Sequence, residues 1–444
     1  MTTTFSRSMV VAVATTTRSC SLVVAVATTT LSRSLVLALA CAMTVASAAA
    51  SAQSVSGVGK LTLLGAAPQD QVATRLRGPA PGKLAVDRLD HTSVSVSWAL
   101  DPAQALDARP QPFVRESREF WIDASEAELQ AGVKLALSAP GAVIRISPHA
   151  DKASTTIDAR DIVLRASGRS YSSAEATRGI VDEAALSAAG MDAPHGSIAM
   201  RLSDAIGAGN VELSVPTAHG SYLVHVFEPA SAVVLKLGAD RDSVNAGAPI
   251  RIRASLEGGI GRINGLISAP DGASQNLDFA RQSDGSYVAS VTPDLAHAGD
   301  QGLWEAHTFV VASGKAAIQR DAKTAFAVGV PVARFDGSAE RNTSKAGVGG
   351  IALNVGVESI APSRYQVSAV LYGTASDGSL KPTAMAQSAT WLASGHGAIE
   401  LRYDADSLAK SGVRAPYELR DLRLVNQADM SLLERRERAL TLAN

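Results

Sequence analysis

The chain has 444 residues, with 41 Lys+Arg against 42 Asp+Glu and a formal net charge of −1. That length exceeds what one hydrophobic core organises and predicts about three domains. The charge balance offers no electrostatic footprint for nucleic acid or for an anionic membrane surface.

The apolar fraction of 46% is enough to build packed cores and argues against disorder, although aromatics are only 4%. Both cysteines, Cys20 and Cys41, lie near the start and none follows them. Downstream of them there is no disulfide framework, no thiolate metal site and no cysteine nucleophile.

The opening segment holds three similar copies: SRSMVVAVATTTR from Ser6, SCSLVVAVATTTL from Ser19 and SRSLVLALACAMT from Ser32. The third copy reads as an export signal. Arg33 supplies positive charge, Leu35 to Val45 the apolar core, and Ala50-Ser51-Ala52 a small-x-small cleavage site. Cleavage after Ala52 would leave Gln53 first and a chain without thiols. A transmembrane helix needs about 20 consecutive apolar residues, and Thr, Ser or Arg interrupts every copy. A lipid anchor on Cys41 prefers a large aliphatic where Ala38 stands. The expected location is therefore periplasmic or secreted, with no transmembrane segment in the mature chain.

Residues 53–115 read as part linker and part strand. GPAPGK (Gly78–Lys83) and DARPQP (Asp107–Pro112) are loops. Between them, Val94, Val96 and Trp98 alternate with Ser93, Ser95 and Ser97, a period-2 strand whose apolar face is expected to fill a core. Residues 116–230 form a first β-rich domain. Its strands are predicted around Phe120–Ile122, Val133–Leu137, Val143–Ile146, Ile162–Leu164, Ile198–Leu202, Val211–Val215 and Tyr222–Val226. The Ala-rich Ser172–Gly190 reads as a short helix or a long loop. Residues 231–334 and 335–444 show the strand rhythm of two Ig-like β-sandwiches. Ser283-Asp284-Gly285 is a hairpin turn in the former, and Asp404–Gly412 a helical turn in the latter. The fold class is all-β: tandem β-sandwich (Ig-like) domains after a cleaved signal segment.

The stretch ESREFW…ELQAGVKLALSAPGAVIRISP (Glu116–Pro148) resembles the first-domain signature of an uncharacterised family of exported proteobacterial proteins, domain-of-unknown-function family 4785. The resemblance extends over most of the chain after Glu116. It implies tandem β-sandwiches and export, assigns no activity and carries over no functional residue.

The chemistry-bearing residues are sparse. The eight histidines are His91, His149, His195, His219, His225, His297, His307 and His396, none within four residues of another. GGIGRING (Gly258–Gly265) lacks the last glycine of a dinucleotide loop and reads as turn glycines. Ser407-Leu408-Ala409-Lys410 has the Ser-x-x-Lys form of serine acyltransferases without their helical domain. Asp240/Asp242 and Asp404/Asp406, with Asp271 and Asp284, are too sparse for a calcium loop. Trp98 and Trp304 are expected in cores.

No catalytic, cofactor-binding or metal-ligating residue is assigned, and no cofactor is expected. The reading is an exported, non-catalytic binding or interaction protein of the bacterial cell envelope, its partner a protein or a polysaccharide. The rivals are a structural spacer and a secreted hydrolase with a loop-built site in the first domain. For the hydrolase, the dense charges Glu116, Arg118, Glu119, Asp123, Glu126 and Glu128 beside Phe120-Trp121 are the place to look. A binder should expose an apolar or aromatic patch; an enzyme should hold convergent ionisable groups in a concave pocket.

Overall fold

The computed structural model describes residues 58–443 except 79–85, 108–111, 150–153, 300–301, 314–316 and 348. Residues 1–57, which include Cys20, Cys41 and the stretch read above as an export signal, lie outside the described residues. Among the described residues no helix is long and apolar enough to cross a membrane.

The fold is all-β, built as three two-layered units from five sheets, each unit around its own core, with strands antiparallel except for Ser243–Asn245 beside Ile318–Gly329. In the first sandwich, one layer holds Val133–Leu137, Gly209–Ser214, Val163–Ala166 and Arg169–Ser172. The facing layer holds Glu119–Ser125, Ser221–Phe227, Val143–Pro148, Ile198–Leu202 and Thr177–Asp182. Strand alternation sends Leu135, Leu164 and Leu213 from one layer, and Phe120, Ile144 and Val224 from the other, into one core. The Ala-rich stretch is neither one helix nor a loop. Two short helices, Ser173–Ala176 and Glu183–Ala188, flank the strand Thr177–Asp182, which ends the sheet. Ser172 and Asp182 cap them through their side chains.

The middle sandwich faces Val234–Ala239, Ile250–Glu257 and Tyr287–Val291 against Ile263–Ser268, Trp304–Ala312 and Ile318–Gly329. Trp304 fills its core, as its alternation predicts. The glycines of GGIGRING do more than turn the chain. A Cβ on Gly265 would stand 2.6 Å from the His307 carbonyl oxygen, and one on Gly261 2.7 Å from that of Val311, so glycine lets this strand approach Trp304–Ala312.

The third sandwich faces Ala333–Asn342, Ile351–Ser359 and Gly395–Tyr403 against Leu380–Leu392, Ser363–Thr374, Arg414–Asn426 and Ser431–Leu442. Two strands from residues 53–115 complete it. Val58–Thr62 pairs with Ala333–Asn342, and Val94–Ala99 pairs with Leu380–Leu392. The chain then visits the middle sandwich, where Arg115–Ser117 pairs with Val234–Ala239, before it enters the first.

The first and middle sandwiches share a sheet. Glu119 and Asp321 are the register pair that joins Glu119–Ser125 to Ile318–Gly329, producing one ten-stranded sheet. Beneath this seam lies a wholly buried ion pair, Arg320 Nη2 to Glu228 Oε2 at 2.7 Å. Its remaining valences are filled: Glu228 Oε1 accepts from the Ser138 and Ala139 N–H groups, and Arg320 donates to the Val233 carbonyl and to Ser138 and Ser231 Oγ.

Candidate functional site

Strand alternation builds a strip of side chains on the outer face of the shared sheet. Phe120 and Ala124 point into the first core, so Glu119, Trp121 and Asp123 point out. On the neighbouring strand, Leu223, His225 and Phe227 are the outward set, with Trp121 opposite His225 and Arg145 next to it in register. Across the seam, the inward Trp304, Ala306, Thr308 and Val310 leave His307, Phe309 and Val311 outward.

Three histidines meet three carboxylates here. His225 Nε2 lies 2.9 Å from Glu119 Oε2, His307 Nε2 3.0 Å from Asp321 Oδ1, and His149 Nε2 3.1 Å from Asp123 Oδ1. Trp121 sits between the first two. Its ring stacks on His225 at 5.6 Å and meets His307 edge-on at 5.7 Å, while Lys323 Nζ lies 5.9 Å from its centroid. The Trp121 backbone N–H donates to Asp321 Oδ2, and Ser117 Oγ donates to the Asp321 carbonyl. Asp321 therefore binds both sides of the seam. Phe309, Val311 and Phe227 are exposed beside these groups, and Arg145 Nε has no hydrogen-bond partner.

The His225 hydrogen bond, and after it Arg115, hold the Glu119 carboxyl below its ordinary range against the opposing effect of burial. A carboxylate so held is an anion near neutral pH, suited to accept hydrogen bonds rather than to donate a proton. A depressed folded pKa gives stability that is present above the unfolded carboxylate pKa and lost as pH falls through the folded value. His225→Phe should move the Glu119 titration midpoint upward, read from its side-chain carboxyl carbon by NMR. An unchanged midpoint would show that His225 is not the cause.

The matching family models are two: the N-terminal domain of DUF4785, a domain of unknown function, over residues 85–228, and the C-terminal domain of DUF4785 over 333–443. The chain belongs to the DUF4785 family. A DUF4785 family protein of known structure from Legionella pneumophila superposes with a TM-score of 0.65 at 19% identity, covering 86% of this chain and 99% of that one. At that identity it shows the fold. Trypsin-activated alpha-2-macroglobulin from Escherichia coli matches at 12% identity over 68% of this chain and 22% of its own, with a TM-score of 0.19. A tetra-tandem repeat from the extending region of a large adhesion protein matches at 13% over 65% and 68%, with a TM-score of 0.17. Neither of these two carries an argument. No functionally curated protein matches.

In this DUF4785 chain the dense charges after Glu116 do not converge. Glu116 pairs with Lys236 and Arg118, and Glu119 and Asp123 take the histidines above. Glu126 accepts the Gly220 N–H, and Glu128 closes a capping box with Ser125 at the start of the helix Glu126–Ala131. Ser407 Oγ donates to Asp404 Oδ2, which makes it part of the cap of Ala405–Ser411 rather than a nucleophile beside Lys410. The loop aspartates are engaged too: Asp240 by Arg251, Asp271 by His297, and Asp284 by Arg253 and Ser286. An open cleft of about 510 Å³ lies among Asp70, Gln71, Asp240, Asp242, Arg251 and Arg435. Arg435 is tied to Asp421, and Asp70 accepts the Glu437 N–H.

Sequence reasoning missed His307, Phe309, Asp321 and Lys323. The signal was the alternation that buries Trp304: the same period sends His307 and Phe309 outward. Trp98 departs from expectation as well. Val94, Val96 and Trp98 are exposed, and the serine face is not sealed either: Ser97 is half-buried and donates through Oγ to Asp404, while Ser95 is exposed and bonded to Ser388.

Proposed function

We propose that this protein is an exported, non-catalytic binding protein of the bacterial cell envelope, and that it engages a protein partner on the Trp121 strip. The observation that carries the reading is the composition of that surface. Exposed Phe309, Phe227 and Val311 lie with half-buried Trp121, Arg145 and the histidines on one outward face across two sandwiches. Aromatic and arginine side chains flanked by charge are the composition of a protein interface, and apolar groups exposed together mark contact sites. The leader ending at Ala52 supports export. A spacer would be served by the tied seam but gives no reason for exposed aromatics beside it.

The test is a photocrosslinking residue placed at Phe309 or Phe227 in cells, with Asp377 as the distant control. The expected result is a discrete protein adduct from the first two positions, in the periplasmic fraction, on a chain whose N-terminus reads Gln53. The purified partner should then bind the wild type, and Trp121→Ala should weaken it by about thirtyfold or more, the hot-spot range that begins at about 2 kcal/mol. Equal adducts from all three positions, or glycan in place of protein on Phe309, would overturn the reading.

A further inference from the structure

We propose that Val94–Ala99 is a self-association edge, on which a second copy of this chain adds antiparallel to join two five-stranded sheets. Val94–Ala99 is the terminal strand of its sheet, and no described strand pairs with its other side. Such edges are ordinarily blunted by charge, proline or bulges. The opposite edge of the same sheet is blunted in that way, since Ser431–Leu442 carries Glu434, Arg435, Arg436, Glu437 and Arg438 in succession and a shifted register. Val94–Ala99 carries no charge and no proline, and its register with Leu380–Leu392 is unbroken. Its outward side chains are apolar, with Val94 46%, Val96 48% and Trp98 41% exposed.

The backbone fixes which amides are free. The Leu100 N–H donates to the Thr383 carbonyl, continuing the register in which Trp98 faces Met385. Antiparallel strands alternate the side to which successive residues turn their N–H and C=O groups. Val94, Val96 and Trp98 therefore bond inward, and Ser95, Ser97 and Ala99 present their groups to the open edge. A second copy laid antiparallel about Val96 satisfies this parity. Ser95 then exchanges bonds with Ser97 of the second copy. Val96 meets its own equivalent, and each Trp98 covers the other copy's Val94, an aromatic–β-branched cross-strand pair. The same register sets His91, whose ring stacks on Trp391 of its own chain, opposite Asp101 of the second copy, a ring N–H facing a carboxylate. That self-complementarity favours a second copy over a foreign strand.

The two-fold at Val96 makes the test specific. Directly opposed residues of a non-hydrogen-bonded antiparallel pair have Cα atoms about 4.5 Å apart, within the span of a disulfide. In the full chain with Cys20 and Cys41 replaced by Ser, Val96→Cys should form a disulfide-linked dimer under mild oxidation. Trp98→Cys alone should not, and Trp98→Cys mixed with Val94→Cys should. The chain without added cysteines should sediment as a concentration-dependent dimer. Val96→Lys, which only charges the outer face, and Ser95→Pro, which removes an open-edge donor, should both sediment as folded monomers by circular dichroism. A chain that stays monomeric at every concentration overturns the proposal, as does equal self-crosslinking through positions 96 and 98. A strand captured only from another protein, with no self-association, overturns it too.

Discussion

Arg320→Met alone should destabilise the protein by about 3–5 kcal/mol, and adding Glu228→Gln should recover much of that loss. Both side chains are completely buried, and they meet at 2.7 Å. Burial pulls the Arg320 pKa down from its ordinary value, and the Glu228 charge pulls it back up. Removing the guanidinium leaves a carboxylate in the interior with only the Ser138 and Ala139 groups to solvate it. Removing the charge from Glu228 as well takes away that penalty, and Gln can still receive the two N–H bonds. The pair also joins sandwiches, since Arg320 belongs to Ile318–Gly329 of the middle unit and Glu228 follows Ser221–Phe227 of the first. Chemical denaturation of the two single variants and the double gives the coupling energy directly. Equal and additive losses would show that the pair contributes packing but no specific ionic link. The prediction bears on the Trp121 strip, because Asp321, which anchors Trp121 and His307, is the next residue in the chain.

Much of this architecture was legible from period-2 alternation. Tyr222, Val224 and Val226 are buried where the pattern puts them, and so are Ile351, Leu353, Val355 and Val357. Alternation says which residues share a face, but it does not say what that face meets. For a strand sealed between layers the apolar face must turn inward. For a terminal strand such as Val94–Ala99 neither face is sealed, and the apolar one stays exposed. Pairing between distant segments was also out of reach. Ser95 meets Ser388 across 293 residues of sequence, and nothing local to either encodes that distance. The histidine–carboxylate pairs have the same origin. His225 and Glu119 are 106 residues apart, so their meeting is a property of strand order, which sequence pattern leaves open. Local chemistry was more readable: Ser125 with Glu128, and Ser172 with Glu175, both close the capping boxes that their spacing permits.

A chain shortened to begin at Phe113 should lose the cooperative unfolding of its third sandwich. Residues 58–62 and 94–99 are structural parts of that unit. Val58–Thr62 adds the outer strand to one layer and Val94–Ala99 to the other. Leu63 lies in the third core and Leu61 packs against it, each fully buried Leu side chain contributing about 1.5–3 kcal/mol. Polar links reach further. Gln71 Nε2 donates to the Leu432 carbonyl, and its Oε1 accepts from Ser243 Oγ of the middle sandwich. Arg436 Nη1 donates to the Leu64 carbonyl while its Nε holds the buried Glu434. Burial raises the Glu434 pKa, and Arg436 opposes that rise most strongly, so loosening Arg436 strands a carboxylate in the core. A buried polar group left without a partner costs about 1–3 kcal/mol. Together these losses rival the roughly 5–15 kcal/mol that hold a domain folded. In the full chain, Leu63→Ala should cost about 2–5 kcal/mol and Gln71→Ala about 1–3 kcal/mol. Calorimetry of the shortened chain should show the third transition missing, with rapid proteolysis between 333 and 443. A peptide of residues 53–107 added in trans should restore it. If the shortened chain melts and resists protease as the full chain does, the two strands are decoration on a sandwich complete without them, and the contacts of Leu63, Gln71 and Leu64 carry no net stability.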